Sequence, residues 1–204
     1  LSALAQQVHN SWTAKEPEDY TCYDLVALRQ IICGFNRTYI ERIHPSVYSE
    51  ASNALGTLKD CPSEIWQGLA GLATDDVAFG NPESWTPNQV NAAGCVLGGL
   101  EFSALSSIPA KSLEFLAPDI AICLSPEHIS ALTPSQKDTL PSSVISQFSS
   151  EQRKALNSQL TFCNINGTDV PCNNSDHITI IGLHLFNCFI LVQLHGAIVF
   201  SFIN

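Results

Sequence analysis

The chain has 204 residues, enough for one sizeable domain or for a piece of a longer repeat array. Nine Lys and Arg stand against 19 Asp and Glu, for a formal net charge of −10, while 45% of residues are apolar and only 14% charged. That balance argues against a nucleic-acid partner, because phosphate backbones are held by clustered basic side chains.

The first residue is Leu1, not Met, which reads as a fragment or a processed chain; Leu1 to Val8 lacks the basic leader and the length of a signal peptide. Residues 1–12 read as the end of an amphipathic helix, with Leu4, Ala5 and Val8 on one stripe. A polar break at 15–19 follows. From Tyr23 to Tyr39 the spacing is helical, with Leu25, Leu28, Ile32 and Phe35 on one face and Gly34 as a weak point. His44-Pro45 is a stop, 47–58 a further helix and 63–72 another, with a turn at Asn81-Pro82.

From Trp85 to Leu156 one start signal recurs. It appears as Thr86-Pro87-Asn88-Gln89, Ser125-Pro126-Glu127-His128, Thr133-Pro134-Ser135-Gln136 and, without proline, Ser149-Ser150-Glu151-Gln152. The hydroxyl caps unpaired N–H groups at a helix start, and proline at the first helical position has none to lose. Gln at the third position reaches back to the cap's own N–H, closing a capping box, with His128 a weaker version of that partner. Trp85 with Val90, and Leu124 with Ile129, are placed to form hydrophobic staples across two of these starts. Pro109 and Pro141 head similar units 32 residues apart, within the range of solenoid repeats. The expected fold is all-α over 1–160: a superhelical array of short armadillo- or HEAT-like helices.

Eight cysteines include no C-x-x-C pair, so a zinc ribbon or a thioredoxin-type site is not expected. Three N-glycosylation sequons begin at Asn36, Asn166 and Asn173. Together they favour extracellular disulfides over buried free thiols. The candidate disulfide cysteines are Cys22, Cys33, Cys61, Cys95, Cys123 and Cys163, whose pairing stays open among fifteen connectivities.

The end of the chain changes character. No Lys or Arg follows Lys154 and no acidic residue follows Asp176. Residues 178–204 form a 27-residue hydrophobic segment interrupted by His184, Asn187, Gln193 and His195. Three readings compete: a buried core helix, a transmembrane span and a GPI-attachment signal. Length weighs against the first, and the absence of a following basic residue against the second. The GPI reading is preferred. It makes 161–177 a polar linker with a cleavage site at Gly167 (alternatively Asn174), and cleavage near Gly167 leaves an even six cysteines.

No catalytic motif is present: there is no G-x-S-x-G, G-x-x-x-x-G-K-[ST], H-E-x-x-H or G-x-G-x-x-G after a strand. Asp75-Asp76 reads as a solvated loop, since adjacent side chains point apart. No catalytic, cofactor-binding or metal-binding residue is assigned, and no cofactor is expected.

The capped starts and the apolar tail resemble the C-terminal part of the mesothelin, stereocilin and otoancorin family. The resemblance is carried by Trp85-Thr86-Pro87-Asn88-Gln89 with Gly94 and Gly98-Gly99-Leu100, by Leu105-Ser106-Ser107-Ile108-Pro109, Leu124-Ser125-Pro126 and Leu132-Thr133-Pro134-Ser135-Gln136, and by Phe148-Ser149-Ser150-Glu151-Gln152. It implies a cell-surface glycoprotein, GPI-anchored or secreted, that joins cells to other cells or to extracellular gels such as those of the inner ear. The implied partners are an extracellular-matrix or cell-surface glycoprotein, and the membrane through the C-terminal anchor. The competing expectation is an intracellular helical-repeat scaffold; an enzyme is not expected.

Overall fold

The structure, a computed structural model, describes residues 1–12 and 15–157 in full and the backbone of 161–165 and 168–172. The chain divides into two compact units, Leu1–Ser158 and Gln159–Asn204. The described residues of the first unit are helical or connecting. In the second, β1 (Thr161–Ile165) pairs antiparallel with β2 (Thr168–Cys172), Thr161 opposite Cys172 and Ile165 opposite Thr168. A polar linker was expected there, and its sequence carries no alternation strong enough to foretell the ladder. The tail 178–204 lies outside the described residues.

The first unit contains eleven short α-helices among its described residues. In order they are α1 (Ser2–Ser11), α2 (Cys22–Leu28), α3 (Arg37–Ile40), α4 (Pro45–Leu55), α5 (Ser63–Thr74), α6 (Pro87–Ala93), α7 (Phe102–Ser107), α8 (Pro126–Ala131), α9 (Pro134–Thr139), α10 (Ser142–Ser146) and α11 (Ser150–Leu156). 3-10 helices link them at Pro17–Asp19, Arg29–Gly34, Pro82–Ser84, Gly94–Gly99, Ala110–Leu113 and Pro118–Cys123. None is long enough to persist alone in water, so caps and burial must hold each one. Capping boxes close at Thr21/Asp24, Thr86/Gln89, Ser125/His128, Thr133/Gln136 and Ser149/Gln152. The residues placed for the two staples, Trp85, Val90, Leu124 and Ile129, are all buried.

Several boundaries differ from the helical spacing. The helix expected over 23–39 breaks at Arg29, whose φ is +47°, and again where the Asn36 side chain caps α3. The helix started by Thr86 ends at Gly94, with φ +52°. His44-Pro45 starts a helix instead of ending one, because the His44 ring caps α4 and Pro45 takes its first position. Ala117-Pro118 likewise opens a 3-10 helix.

Residues 1–43 and 66–108 repeat each other without a gap at a shift of 65. The shift carries α1 onto α5, Pro17–Asp19 onto Pro82–Ser84, α2 onto α6, Arg29–Gly34 onto Gly94–Gly99 and α3 onto α7. The backbone agrees in detail: Arg29 (φ 47, ψ −131) and Gly94 (φ 52, ψ −123) make the same unusual bend. Buried residues correspond as well, Tyr20 with Trp85, Leu25 with Val90, Ile32 with Leu97, Ile40 with Leu105 and Ile43 with Ile108. Even the close backbone contacts recur. A Cβ on Gly34 would stand 2.6 Å from the Leu1 carbonyl carbon, and one on Gly99 would stand 2.0 Å from the Trp66 carbonyl oxygen.

From Leu100 onward a shorter register takes over. The cap positions are Glu101, Pro109, Ala117, Ser125, Thr133, Pro141 and Ser149, eight residues apart. Before each cap stands a buried apolar residue: Leu100, Ile108, Leu116, Leu124, Leu132, Leu140 and Phe148. The 32-residue spacing of Pro109 and Pro141 is four of these steps. Two buried glutamines tie distant steps together. The Gln136 Nε2 donates to the carbonyls of Leu105 and Ile108 at 2.9 and 2.8 Å, while its Oε1 accepts from the Thr133 N–H at 2.8 Å. Gln152 repeats this with Ala121 (2.7 Å), Leu124 (2.6 Å) and Ser149 (2.7 Å).

Candidate functional site

Two serine–histidine contacts occur, Ser125 Oγ to His128 Nδ1 and Ser46 Oγ to His44 Nδ1, both at 2.8 Å and both within helix starts. No group of three His, Cys, Asp or Glu among the described residues could hold a metal. Asp75 accepts from the Val77 N–H at 2.9 Å, which is a local turn contact. His44 and His128 cap helices. Burial holds the His128 imidazole below its ordinary pKa, so its Nδ1 stays free to accept from the Ser125 N–H at 3.3 Å. No helix among the described residues is long and apolar enough to cross a membrane.

Four of the six candidate cysteines are paired. Cys33 bonds to Cys61 and Cys95 to Cys123, each across 28 residues. Cys22, expected among the bridged cysteines, carries a free thiol beside Glu50; desolvation, then the neighbouring carboxylate, raises its pKa and keeps it protonated. The side chain of Cys163 lies outside the described residues. Each disulfide ties a 3-10 segment to a later part of the chain. In the first copy Gln30 adds a second tie, its side chain hydrogen-bonding to the Lys59 backbone carbonyl. Gln30 is the counterpart of Cys95, so a hydrogen bond in one copy stands where the other has a covalent link.

Of the three sequons, Asn36 falls in the described region and is exposed, as are Arg37 and Thr38. Its Oδ1 accepts from the Tyr39 N–H at 2.8 Å, starting α3. Asn166, Asn173 and the candidate attachment positions Gly167 and Asn174 lie outside the described residues.

Two clefts open on the first copy. One, of about 450 Å³, lies between α1 and the start of α3 and is lined by Gln6, His9, Phe35, Asn36 and Tyr39. Its wall is aromatic: the Phe35 and Tyr39 rings stack at 4.5 Å, and His9 meets Tyr39 edge-on at 5.5 Å. Tyr39 is held from below by Tyr20, whose hydroxyl lies 2.6 Å from its own. The other cleft, of about 460 Å³, is lined by Leu25, Val26, Arg29, Gln30 and Leu55. Sequence reasoning found Asn36 by its motif. It missed His9 and Tyr39 as neighbours, because 30 residues separate them and only the fold brings them together.

The described residues thus offer capped short helices, two disulfides and two clefts. Comparison with known proteins finds related sequences. The chain is 28% identical to mouse and human stereocilin over 142 residues and 25% identical to human otoancorin over 139, covering 65% and 68% of this chain. These similarities support a relationship to stereocilin and otoancorin. The chain spans only 8% of stereocilin and 12% of otoancorin. No family model matches it, and neither does any solved structure.

Proposed function

We propose that the chain belongs to a cell-surface or secreted glycoprotein whose helical-repeat surface mediates adhesion between cells or between cells and matrix. The observation that carries this reading is the pair of formed disulfides, which persist in oxidising compartments and not in the cytosol. The relatives support it, since stereocilin and otoancorin are extracellular or cell-surface proteins of the inner ear. We infer further that the repeated units continue as a superhelix and offer an extended surface on which a few anchors supply the binding energy. Tail cleavage at Gly167 or Asn174 with GPI attachment is the proposed anchor, and an extracellular-matrix or cell-surface glycoprotein is the proposed partner. The competing reading, an intracellular scaffold, is disfavoured by the disulfides. An enzyme is disfavoured by the similarity to stereocilin and otoancorin, which are not enzymes.

Localisation and adhesion are tested together. Native protein from expressing cells is treated with glycosidase and with a phosphatidylinositol-specific phospholipase, and beads coated with the purified chain are washed over matrix and cell layers. A mass shift, release from the surface and retention of the beads are expected. Absence of any glycosidase shift overturns the extracellular reading. Bead retention no better than an inert coating overturns adhesion.

A further inference from the structure

We propose that Asn36 carries an N-linked glycan whose first sugar folds back into the aromatic cleft between α1 and α3, fastening α1 to the rest of the first copy. The acceptor atom is available: Asn36 Oδ1 is engaged by the Tyr39 N–H, which fixes the amide, while Nδ2 has no partner in the structure. Thr38, the hydroxyl residue of the sequon, is exposed. In the transfer a bond forms between Nδ2 and C1 of the sugar, and the bond from C1 to the pyrophosphate of a lipid-linked oligosaccharide donor breaks. The lipid pyrophosphate leaves, and the amide gives up one proton.

The seat is part of the same surface, for Asn36 is itself in the cleft wall. A volume of about 450 Å³ suits a small-molecule site, for which about 300–1,000 Å³ is usual. Sugar rings present C–H groups on one face and hydroxyls at the rim. Phe35 and Tyr39 offer the first an aromatic surface, and Gln6 and His9 offer the second hydrogen-bond partners. The second copy is the internal control. At the positions of Gln6, His9, Phe35, Asn36 and Tyr39 it has Gly71, Thr74, Leu100, Glu101 and Ala104. The sequon and the aromatics are therefore present together in one copy and absent together from the other, on a shared backbone that requires neither.

The proposal rests on the extracellular reading, but its test does not. The full chain is secreted from mammalian cells behind an added leader, so an empty Asn36 there counts against the site and not against where the natural protein resides. Peptide mapping is expected to find Asn36 occupied. Release of that glycan by peptide-N-glycosidase is expected to be about tenfold slower from the native than from the unfolded chain, the factor a docking equilibrium of about 1.4 kcal/mol imposes. The substitutions His9→Ala and Gln6→Ala should recover most of the rate. Thr38→Ala removes the sequon and keeps the Asn36 cap; it should quicken amide exchange in α1 with little change elsewhere. This last comparison still decides should a cleft variant fail to fold. An unoccupied Asn36 overturns the proposal. So does an occupied one that is released at the same rate from native and unfolded chain and leaves exchange in α1 unchanged.

Discussion

The two copies, 1–43 and 66–108, have one backbone and two chemistries. In the second, Trp66 is 6% exposed and Leu69 fully buried; their counterparts Leu1 and Leu4 are 54% and 51% exposed. The second copy packs against α3 and α4. Gly68 comes within 3.1 Å of Ile40 on adding a Cβ, and the Gly56 carbonyl accepts from the Cys95 N–H at 2.9 Å. What the backbone needs is therefore common to both copies: the cap, the bend and the contact of Gly34 or Gly99. What the neighbours need is particular to one. The bend at 29 and 94 separates the two demands. Both residues have positive φ, but a side chain is tolerated at Arg29, which is exposed, and excluded at Gly94, where the Gly56 backbone at the end of α4 sits on it.

The sharpest way to break this comparison is Gly94→Ala. A Cβ would stand 2.3 Å from the Gly56 oxygen in a backbone region that side chains rarely adopt, and a loss of about 3 kcal/mol or more is expected by urea unfolding. Next is removal of each disulfide by paired Cys→Ser substitution. Equal loops of 28 residues predict equal losses of about 3 kcal/mol from chain entropy. The Gln30 tie remains in the first copy, so losing Cys33–Cys61 should cost about 1 kcal/mol less than losing Cys95–Cys123.

Gln152→Leu should cost about 2–3 kcal/mol, since it leaves the Ala121 and Leu124 carbonyls and the Ser149 N–H without their partner in a buried place. Gln89→Leu, at a cap that ties nothing distant, should cost about 1 kcal/mol. Arg29→Gly should stabilise the protein by about 1 kcal/mol through release of backbone strain, the opposite sign to Gly94→Ala at the matching bend. The smallest effect is at His128. Its folded pKa lies below the ordinary 6.5, so the unfolded chain takes up the proton first. The associated stability is complete above pH 6.5 and is lost as pH falls through 6.5 towards the folded value. His128→Gln should flatten that part of a Tm-versus-pH curve.

The helix starts were readable because capping is local chemistry: Thr86, Ser125, Thr133 and Ser149 each meet their box partner three residues on. The eight-residue register was harder to see. Its cap position accepts Glu101, Pro109 and Ala117 as readily as Ser125, and only the apolar residue before it stays constant in kind. The 65-residue duplication is hidden for a related reason. Identities such as Pro17/Pro82, Thr21/Thr86, Gly34/Gly99 and Ile43/Ile108 mark backbone needs, and the residues between answer to different neighbours. Helical spacing across 23–39 misled because periodicity says which face is buried, not where the backbone turns. Disulfide partners and the aromatic cleft depend on contacts between distant residues, which spacing does not encode.

The two bridges also decide how the molecule yields to tension. A chain pulled from its ends through Cys33–Cys61 or Cys95–Cys123 transmits force across the sulfurs and leaves the enclosed 28-residue spans slack. At roughly 3.3–3.6 Å per residue, each bridge withholds on the order of 90–100 Å of contour. The stretch before 33, the stretch between 61 and 95 and the helices after 123 are the parts that pay out. A protein that holds two surfaces together would lengthen there first and stop short, with its N-terminal loop and its central loop still closed.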